Sequence, residues 1–416
     1  MRGFLKFLPL CTVLLVTSCS GPRDLHEEVL FRNTPADTIP YRIPTLAVLA
    51  DGRLLALADY RHCMLDIGYG RVDIHGRIAE DMVWGDPFVL IEGSGVSKAA
   101  DCGFGDAAIV VDRETGEVLV MTVCGETVYG APSTTRDNPN RVAVLRSKDD
   151  CATWEQWKEV TDDIYSLFDG SAYGPVQSCF VTSGKIFQSR TVKVGSHYRI
   201  YVALCARPNG NRVIYSDDFG KTWNALGGQD ALPVPGGDEA KCEELADGRL
   251  VVSSRVWGGR YFNIFTYEDL ASGRGSWSDP AFSGTENKGC AAVDNACNGE
   301  ILMVPAVRVA DGKKVDLCLQ SVPLGPERRS AGIYYKEISG DVTSMSLASD
   351  WSGPYQVTDK PSAYSTMISL DNGHIAFYYE ESDDPWPRGY DMVFKELPLE
   401  MITDGRYEIR RKLWKD

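Results

Sequence analysis

Metal-binding patterns are missing from this sequence of 416 residues. Its five histidines form no His-Glu-x-x-His motif or other close pair of ligands, and its 12 cysteines form no Cys-x-x-Cys pair. Glycine-rich loops of the phosphate-binding kind are missing as well. The sequence therefore predicts no bound metal and no cofactor, so that any chemistry has to come from side chains alone.

Basic residues are in deficit. The chain has 43 Lys and Arg against 58 Asp and Glu, a formal net charge of −15 at pH 7. Such an acidic surface repels nucleic acid and anionic lipid headgroups, which argues against nucleic acid as a partner. An anionic substrate would have to be held by a local pocket of basic side chains, because the overall field does not attract it.

Long apolar runs are limited to the N-terminus. Residues 7–16 follow Arg2 and Lys6, and this stretch is shorter than the roughly 20 residues that a membrane span needs. The next residues, Val-Thr-Ser-Cys at 16–19, resemble a bacterial lipobox. That resemblance implies cleavage before Cys19 and attachment of a lipid to its thiol.

These features divide the chain into a targeting segment and a body. We predict a lipoprotein signal peptide over residues 1–18, a tether over 19–28 and a soluble body over 29–416, with a plain secretory signal as the alternative. The mature protein would be exported to the periplasm or the cell surface of a bacterium. It would meet a membrane only through the lipid on Cys19. Removal of residues 1–18 would leave 41 basic and 58 acidic residues, a net charge of −17.

Most of the remaining cysteines lie inside apolar runs, as Cys124 and Cys318 do. Such positions favour small buried side chains over metal ligands. One or two disulfides are compatible with the sequence, but the sequence does not pair them.

A short turn, x-Gly-x-[Leu/Ile/Val], recurs six times along the body and leads each time into an apolar strand. Glycine can adopt the positive φ of a tight hairpin, and alternating apolar residues around it are typical of paired strands. Successive glycines are 64, 68, 64, 51 and 74 residues apart. The six turns are centred on Gly52, Gly116, Gly184, Gly248, Gly299 and Gly373.

Tryptophan keeps nearly the same spacing. Five tryptophans, each just after a polar turn, lie 70, 69, 54 and 74 residues apart, at Trp84, Trp154, Trp223, Trp277 and Trp351. Two signals with one period, and no convincing helical periodicity, predict four-stranded sheets repeated around an axis. We therefore predict an all-β fold, a single six-bladed β-propeller over residues 29–416. A pair of β-sandwiches would also contain many short strands, but it gives no reason for six similar periods.

The segment from Ser216 to Trp223 fits the Asp box, Ser-x-Asp-x-Gly-x-Thr-Trp, in full. A weaker copy, from Ser147 to Trp154, has Cys151 in place of the glycine. The aspartate of such a box caps the hairpin backbone, and the tryptophan packs between strands. Because the box occurs in several kinds of propeller, it predicts the fold and not the activity.

The tetrapeptide Tyr41-Arg42-Ile43-Pro44 is more specific. It precedes the first glycine turn, where bacterial and animal sialidases carry the same tetrapeptide, and the likeness continues to about residue 400. The chain therefore resembles the exo-sialidases, also called neuraminidases, which are Asp-box propellers and retaining glycoside hydrolases. This resemblance implies removal of terminal α-linked sialic acid from sialylated glycans such as glycoproteins, glycolipids and oligosaccharides.

A sialic acid carries a carboxylate on its anomeric carbon, so the site has to hold an anion. Guanidinium groups suit this task because they are planar, permanently charged and able to bind a carboxylate with two hydrogen bonds. Members of the family use three arginines from separate blades. The resemblance assigns these roles to Arg42, Arg255 and Arg328, with the adjacent Arg329 as the alternative for the third.

The negative charge of the substrate also limits which residue can act as the nucleophile. A carboxylate nucleophile would be repelled by the carboxylate of the substrate, and sialidases use a tyrosine instead. Tyr364 precedes the sixth glycine turn, where the family places that tyrosine. A phenol with a pKa near 10 needs a base to attack at neutral pH. The resemblance assigns the base to Glu239, with Glu243 on the same strand face as the alternative.

The acid is expected in the glycine-bearing loop over residues 60–74, which can reach over the sugar. Family members carry their acid/base aspartate in this loop, and Asp66 matches it best. Arg61 matches a further arginine that lies close to the carboxylate in relatives. Asp106, at the start of the second blade's inner strand, matches an aspartate near the N-acetyl and glycerol-side groups of the sugar. A turn aspartate without a ligand is the alternative interpretation of Asp106.

The favoured hypothesis is thus an exo-α-sialidase that hydrolyses with retention through a tyrosine nucleophile. A sialic-acid-binding propeller without catalysis is one alternative, and the acid, base and nucleophile argue against it, because binding alone does not need them. An intramolecular trans-sialidase or other sialyl-transfer enzyme is another, and it would use the same residues.

Overall fold

The computed structural model describes residues 25–33, 39–383 and 389–410. Nearly all of its regular structure is β-strand, and the strands form six sheets of four or five strands each. The first strands of neighbouring sheets contact one another around a ring. The predicted all-β, six-bladed β-propeller is confirmed.

The strands follow the chain through the blades in order. The first ten are β1 (Glu27–Phe31), β2 (Tyr41–Val48), β3 (Leu54–Tyr60), β4 (Asp73–Glu80), β5 (Val83–Trp84), β6 (Phe88–Ile91), β7 (Phe104–Val111), β8 (Val118–Cys124), β9 (Arg141–Ser147) and β10 (Lys158–Glu159). The next ten are β11 (Ser178–Val181), β12 (Gly184–Lys185), β13 (Phe187–Val194), β14 (His197–Arg207), β15 (Gly210–Ser216), β16 (Asn224–Ala225), β17 (Ala240–Glu244), β18 (Leu250–Val256), β19 (Gly259–Asp269) and β20 (Arg274–Trp277).

The last nine are β21 (Ala281–Ser283), β22 (Ile301–Arg308), β23 (Lys314–Gly325), β24 (Arg329–Ile338), β25 (Ser352–Gln356), β26 (Ser365–Ser369), β27 (Ile375–Glu381), β28 (Asp391–Leu397) and β29 (Tyr407–Ile409). Three one-turn α-helices, α1 (Thr161–Tyr165), α2 (Ser344–Ala348) and α3 (Leu399–Ile402), lie outside the sheets. Two short 3₁₀ turns cover Ser166–Phe168 and Thr285–Asn287.

The propeller closes by pairing the two ends of the chain. Blade six takes β26, β27 and β28 from the C-terminal part, and β1 pairs antiparallel with β28 as its fourth strand. Closure of this kind leaves no open gap between the first and last blades. Glu27 and Glu28, which the sequence places in the tether, are the first two residues of β1. The predicted signal peptide, residues 1–18, and Cys19 lie outside the described residues. Among those described, no helix has the length and apolarity to cross a bilayer.

Four of the six predicted glycine turns join the first and second strands of a blade. Each of these glycines has a φ between +75° and +91°, as a tight hairpin requires. They are Gly52, Gly116, Gly248 and Gly373.

The other two turn predictions were wrong. Gly184 lies in β12, which crosses the middle of the propeller and pairs parallel with β7, and the hairpin of blade three is at Gly195. Gly299 precedes β22, and the hairpin of blade five is at Gly312, 64 residues after Gly248. The two positions need glycine for different reasons: Gly184 has a φ of +101°, and a Cβ at Gly299 would overlap the backbone carbonyl of Ser321.

The tryptophan spacing marks the outer strands of blades one to five. Trp84 and Trp277 lie in β5 and β20, while Trp223 and Trp351 directly precede β16 and β25. Trp154 lies four residues before β10. Blade six has no such tryptophan because its outer strand comes from the N-terminus.

Both Asp boxes form the expected cap. Asp218 accepts hydrogen bonds at one oxygen from the backbone nitrogens of Lys221 (3.0 Å) and Thr222 (2.8 Å). In the weaker copy, Asp149 accepts one from the backbone nitrogen of Thr153 at 2.9 Å. Trp223 is buried among apolar residues of blades two and three. The boxes therefore fix outer hairpins and take no part in the cavity described below.

Apolar side chains fill the space between neighbouring blades. In one cluster, Leu119 of β8 packs with Ile200 of β14, so that blades two and three share a core. Blades six and one are joined in the same way through Phe394 and Leu54. All ten cysteines from Cys63 to Cys318 are free thiols and nine of them are buried, as the apolar runs predicted; the described residues form no disulfide.

Candidate active site

A cavity of about 700 Å³ opens on the face of the propeller where the first strands of the blades begin. Its lining contains all eight residues that the sequence singled out. They come from blades one, two, four, five and six: Arg42, Arg61, Asp66, Asp106, Glu239, Arg255, Arg328 and Tyr364.

The two rival residues lie elsewhere. Glu243 is fully buried in the centre of the propeller, where it accepts hydrogen bonds from Arg190 (2.6 Å) and Lys185 (3.3 Å). Arg329 is directed to the carbonyl of Asp359, 3.5 Å away. Neither residue lines the cavity, so the geometry favours Glu239 and Arg328 as the site candidates.

Two β-bulges present site residues to the cavity. One interrupts the pairing of β2 with β3 between Arg42 and Thr45, and it gives Ile43 a φ of +63°. The other interrupts β7 after Gly105 and gives Asp106 a φ of +53°. A bulge redirects the side chains next to it, and positive φ is rare and strained for a β-branched residue such as isoleucine. Regular strand pairing is therefore interrupted at both places where a strand presents a residue to the cavity.

Tyr364, Glu239 and Arg255 form a hydrogen-bonded group on the cavity floor. The Tyr364 hydroxyl donates to Oε2 of Glu239 at 2.8 Å, and Nη1 of Arg255 donates to the same oxygen at 2.6 Å. Nη1 of Arg255 also lies 3.4 Å from the Tyr364 oxygen. Glu239 is only 2% exposed, just before β17, and Arg255 is near the end of the neighbouring strand β18. A carboxylate is thus in place to take a proton from a phenol.

The phenol is held in its protonated form. Burial, and then the charge of Glu239, raise the pKa of Tyr364 well above its ordinary value of 10, although Arg255 opposes this shift. A neutral phenol is a weak nucleophile, and it becomes reactive as it passes its proton to an adjacent base. The arrangement therefore suits attack with simultaneous proton transfer to Glu239.

Arg42 is fixed by Glu380, a residue that the sequence did not single out. The fully buried Glu380 accepts hydrogen bonds from Nε of Arg42 (2.8 Å) and from the backbone nitrogens of Ile43 (2.7 Å) and Tyr364 (2.9 Å). Burial alone would lower the pKa of Arg42, but the charge and hydrogen bonds of Glu380 raise it above its ordinary value. One carboxylate thus holds both the first arginine and the backbone of Tyr364.

Arg328 completes a cluster of three guanidinium groups around Tyr364. Its Nε donates to the carbonyl of Ala296 at 3.2 Å, and its guanidinium carbon lies 6.0 Å from the centre of the Tyr364 ring. Arg42 lies 5.8 Å from the same ring. With Arg255 at the hydroxyl, the three arginines surround one side chain, as a site for a carboxylate requires.

Arg61 is shared by three carboxylates. Its Nη2 lies 2.8 Å from Asp66, 3.2 Å from Asp59 and 4.0 Å from Asp106. The side chain of Asp66 is 63% exposed, whereas that of Asp59 is buried. Asp59 was missed by the sequence reasoning, and it also accepts a hydrogen bond from the backbone nitrogen of Asp106 at 3.0 Å. It therefore supports both Arg61 and the bulge that presents Asp106.

Two of the carboxylates around Arg61, those of Asp59 and Asp106, have raised pKa values. Burial raises the pKa of Asp59 to about 7, against the lowering effect of Arg61. Burial, and then the charge of Asp66, raise the pKa of Asp106 well above its usual value of 3.8. One arginine does not neutralise three carboxylates, so protons are retained in this group near neutral pH.

One wall of the cavity is largely apolar. Ile67, Val123 and Phe180 belong to one packed cluster, and Tyr129 contacts Phe180 edge to face at 4.7 Å between ring centres. The cavity therefore offers charged groups on its floor and an apolar surface on one side, which is typical of a site for a small polar molecule with an apolar substituent.

The missed residues had a sequence signal. Glu380 and Asp59 each come near the end of a strand that is otherwise apolar, β27 and β3. Acidic residues are rarely buried in such strands unless they are paired with a cation. An acid at the end of an apolar strand next to a site arginine was thus the pattern to look for. Among the described residues, no group of three His, Cys, Asp or Glu side chains is arranged to hold a metal ion.

Known sialidases are similar to this chain in sequence and in fold. A sialidase from Micromonospora viridifaciens is 34% identical over 224 residues, which cover 52% of this chain and 32% of that protein. A sialidase from Paraclostridium sordellii is 25% identical over 330 residues, 74% of this chain and 76% of that protein. The chain is therefore similar in sequence to sialidases. It spans about a third of the length of the first relative and three quarters of the second, and no profile of a known protein family matches it.

Solved sialidase structures have the same fold. The Hadza microbial sialidase Hz136 superposes with a TM-score of 0.66 at 22% identity, covering 88% of this chain and 66% of that one. A leech intramolecular trans-sialidase, solved with 2,7-anhydro-Neu5Ac, gives a TM-score of 0.67 at 15% identity, covering 91% and 71%. At these identities the likeness shows the propeller alone.

Proposed function

We propose that this protein is an exo-α-sialidase that removes terminal sialic acid from glycans with retention of configuration. The observation that carries the proposal is the 2.8 Å hydrogen bond from the Tyr364 hydroxyl to Glu239 beneath a cluster of three arginines. Homology to sialidases supports the substrate class.

Binding would be dominated by charge. The carboxylate of the sugar would lie among Arg42, Arg255 and Arg328, and would set its anomeric carbon over the Tyr364 oxygen. Planar guanidinium groups orient a carboxylate as well as attract it. The apolar wall at Val123 and Phe180 would face an apolar substituent of the sugar.

Chemistry would then take two displacements. Tyr364 attacks the anomeric carbon while its proton passes to Glu239, and Asp66 protonates the departing oxygen, which gives a sugar bound covalently to the tyrosine. Water, deprotonated by Asp66, then attacks the same carbon as its bond to the Tyr364 oxygen breaks, and that oxygen takes its proton back from Glu239. Two inversions give net retention. The high exposure of Asp66 suits a group that has to reach solvent and substrate.

Two variants test the assignment. Tyr364→Phe and Asp66→Ala are each expected to lose roughly 100-fold or more of kcat on a fluorogenic sialoside, because each removes a group that acts in the transition state. Their melting temperatures should stay close to that of the wild type. Near wild-type turnover in both variants would refute the mechanism.

The product separates hydrolysis from transfer. A leech intramolecular trans-sialidase is among the proteins of similar fold, so an anhydro-sugar product is the second candidate. Early NMR spectra of a reaction with 3′-sialyllactose should show the α-anomer of free sialic acid. An anhydro-sugar would assign the second candidate, and binding without any product would assign a sialic-acid-binding propeller. We further propose that the protein is exported and held to a membrane by a lipid on Cys19.

A further inference from the structure

Asp238 lines the cavity next to Glu239 and is not among the residues that the sequence singled out. Its side chain is 45% exposed and lies 3.3 Å, Oδ2 to Nε, from Arg255. Arg255 thus contacts carboxylates on two sides, since its Nη1 donates to Glu239 at 2.6 Å. The contact with Asp238 is an ion pair and does not have the geometry of a hydrogen bond, but two anions on different edges restrict a guanidinium group more than a single partner does.

This arrangement leaves one nitrogen of Arg255 for a ligand. Nε of Arg255 faces Asp238, and Nη1 serves Glu239 and the Tyr364 hydroxyl. With the part of the chain that the structure describes, Nη2 of Arg255 forms no hydrogen bond. A change in the side-chain torsions of Arg255 would move these donors, so the charge of Asp238, together with Glu239, favours the orientation seen here.

The other oxygen of Asp238 is held as well. Oδ1 accepts hydrogen bonds from the backbone nitrogen of Glu239 (2.9 Å) and from the thiol of Cys205 (3.3 Å). The Cys205 sulfur is also 3.2 Å from the hydroxyl of Tyr129 on the cavity wall. Cys205 is 2% exposed, so this linkage is enclosed behind the cavity lining. Asp238 is therefore positioned by its surroundings and is not a free surface carboxylate.

We propose that Asp238 is a positioning residue that orients Arg255 toward the carboxylate of the substrate and anchors the backbone of Glu239. The proposal rests on the proposed function for the identity of the ligand. Asp238 acts through Arg255. Replacing it should therefore weaken binding of the anion more than it lowers turnover.

The test uses Asp238→Asn in the full chain. The amide oxygen can still accept from Glu239 and Cys205, whereas the charge facing Arg255 is lost. We expect KM for a fluorogenic sialoside, and Kd for the 2,3-unsaturated sialic acid analogue by calorimetry, to rise about 10-fold while kcat changes by less than about 3-fold. Asp163→Asn, on α1 and outside the cavity lining, removes the same charge and should change neither constant.

A double-mutant cycle separates an indirect role from direct contact with the sugar. If Asp238 acts through Arg255, then Asp238→Asn should add little to the loss of analogue binding caused by Arg255→Lys. A full additional 10-fold loss in that background, or an unchanged KM and Kd in the single variant, would overturn the proposal. Analogue binding that weakens as expected in a protein without turnover would instead refute the proposed hydrolysis and leave the positioning role standing.

Discussion

We expect Glu380 to be as important for turnover as Arg42 and Tyr364, the two site residues that it holds. Its carboxylate accepts hydrogen bonds from Arg42 and from the backbone nitrogens of Ile43 and Tyr364, and it is fully buried. Glu380→Gln preserves the shape and one acceptor oxygen. The new amide nitrogen is a donor. In the place of Oε1 it would face Nε of Arg42 and the N–H of Ile43, and in the place of Oε2 it would face Nη2 of Arg42 and the N–H of Tyr364. At least one buried donor would then lose its partner, and Arg42 would lose its counter-charge.

The size of the effect follows from these contacts. A buried donor without a partner costs about 1–3 kcal/mol, and breaking a buried ion pair costs about 3–5 kcal/mol in total. For a chain of 416 residues, the entropy of unfolding is about 0.9 kcal/mol per kelvin near the midpoint, so that Tm should fall by roughly 3–6 °C. Arg42 and Tyr364 both lose their anchor, and we expect kcat/KM to fall roughly 100-fold.

The assay combines a thermal melt with kinetics on a fluorogenic sialoside. Glu381→Gln is the matched control, because Glu381 is the next residue of β27 and pairs with Lys360 (3.0 Å) and the Tyr379 hydroxyl (2.8 Å), away from the cavity. That variant should keep kcat/KM within about 3-fold of the wild type. If Glu380→Gln melts and turns over like the wild type, or no worse than Glu381→Gln, the reasoning is refuted.

Two further predictions concern the frame of the site. Burial raises the pKa of Asp59 from 3.8 to about 7, so the neutral carboxyl favours the folded state below about pH 4 and this contribution is lost as the pH rises to about 7. The Tm of Asp59→Asn relative to the wild type should therefore increase between pH 4 and pH 8, and a flat or falling difference would contradict this. Gly220→Ala should cost about 2–3 kcal/mol, because φ is +79° and a Cβ would lie 2.6 Å from Leu119. Cys151→Ala, at the matching position of the weaker Asp box, should cost about 1 kcal/mol or less in the same denaturant titration.

The fold was predictable because its signals are local and repeated. The hairpin at Gly116 or Gly248 needs only a few residues of sequence to specify it, and the same turn recurs at the period of a blade. Gly184 and Gly299 look the same in sequence, yet Gly184 has its positive φ outside a hairpin, and a Cβ at Gly299 would meet the backbone of Ser321. A local pattern cannot separate a glycine in a hairpin from one that is required for either of these other reasons. The Asp311-Gly312 turn, with the regular spacing of 64 residues from Gly248, was the better candidate for blade five.

The charged residues that line the site could be predicted from the sequence, whereas the carboxylates that hold them in place could not. Arg42, Glu239 and Tyr364 were found through their resemblance to known positions, and the structure brings them into one cavity. The choice between Glu239 and Glu243 was open because both lie on one face of a strand, and only the depth along the axis separates them. Asp238 acts through the orientation of a neighbour and leaves no sequence pattern. Glu380 acts through contacts with residues that are distant in sequence, and its signal is only its place at the end of an apolar strand.

The supporting carboxylates explain how three arginines can share a small volume before a ligand arrives. Arg42 and Arg328 both lie within about 6 Å of the Tyr364 ring and Arg255 lies at its hydroxyl, and a cluster of positive charges without counter-charge would destabilise the fold. Glu380, Glu239 and Asp238 supply counter-charge from below and from the side, while the cavity side of the cluster is left for an anion. The acidic surface of the chain does not attract such an anion, so selectivity has to arise within a few ångströms of the floor. The tetrapeptide Tyr41-Arg42-Ile43-Pro44 therefore depends on Glu380 for its place in the site. Glu380, in the last blade, holds Arg42 of the first blade and the backbone of Tyr364.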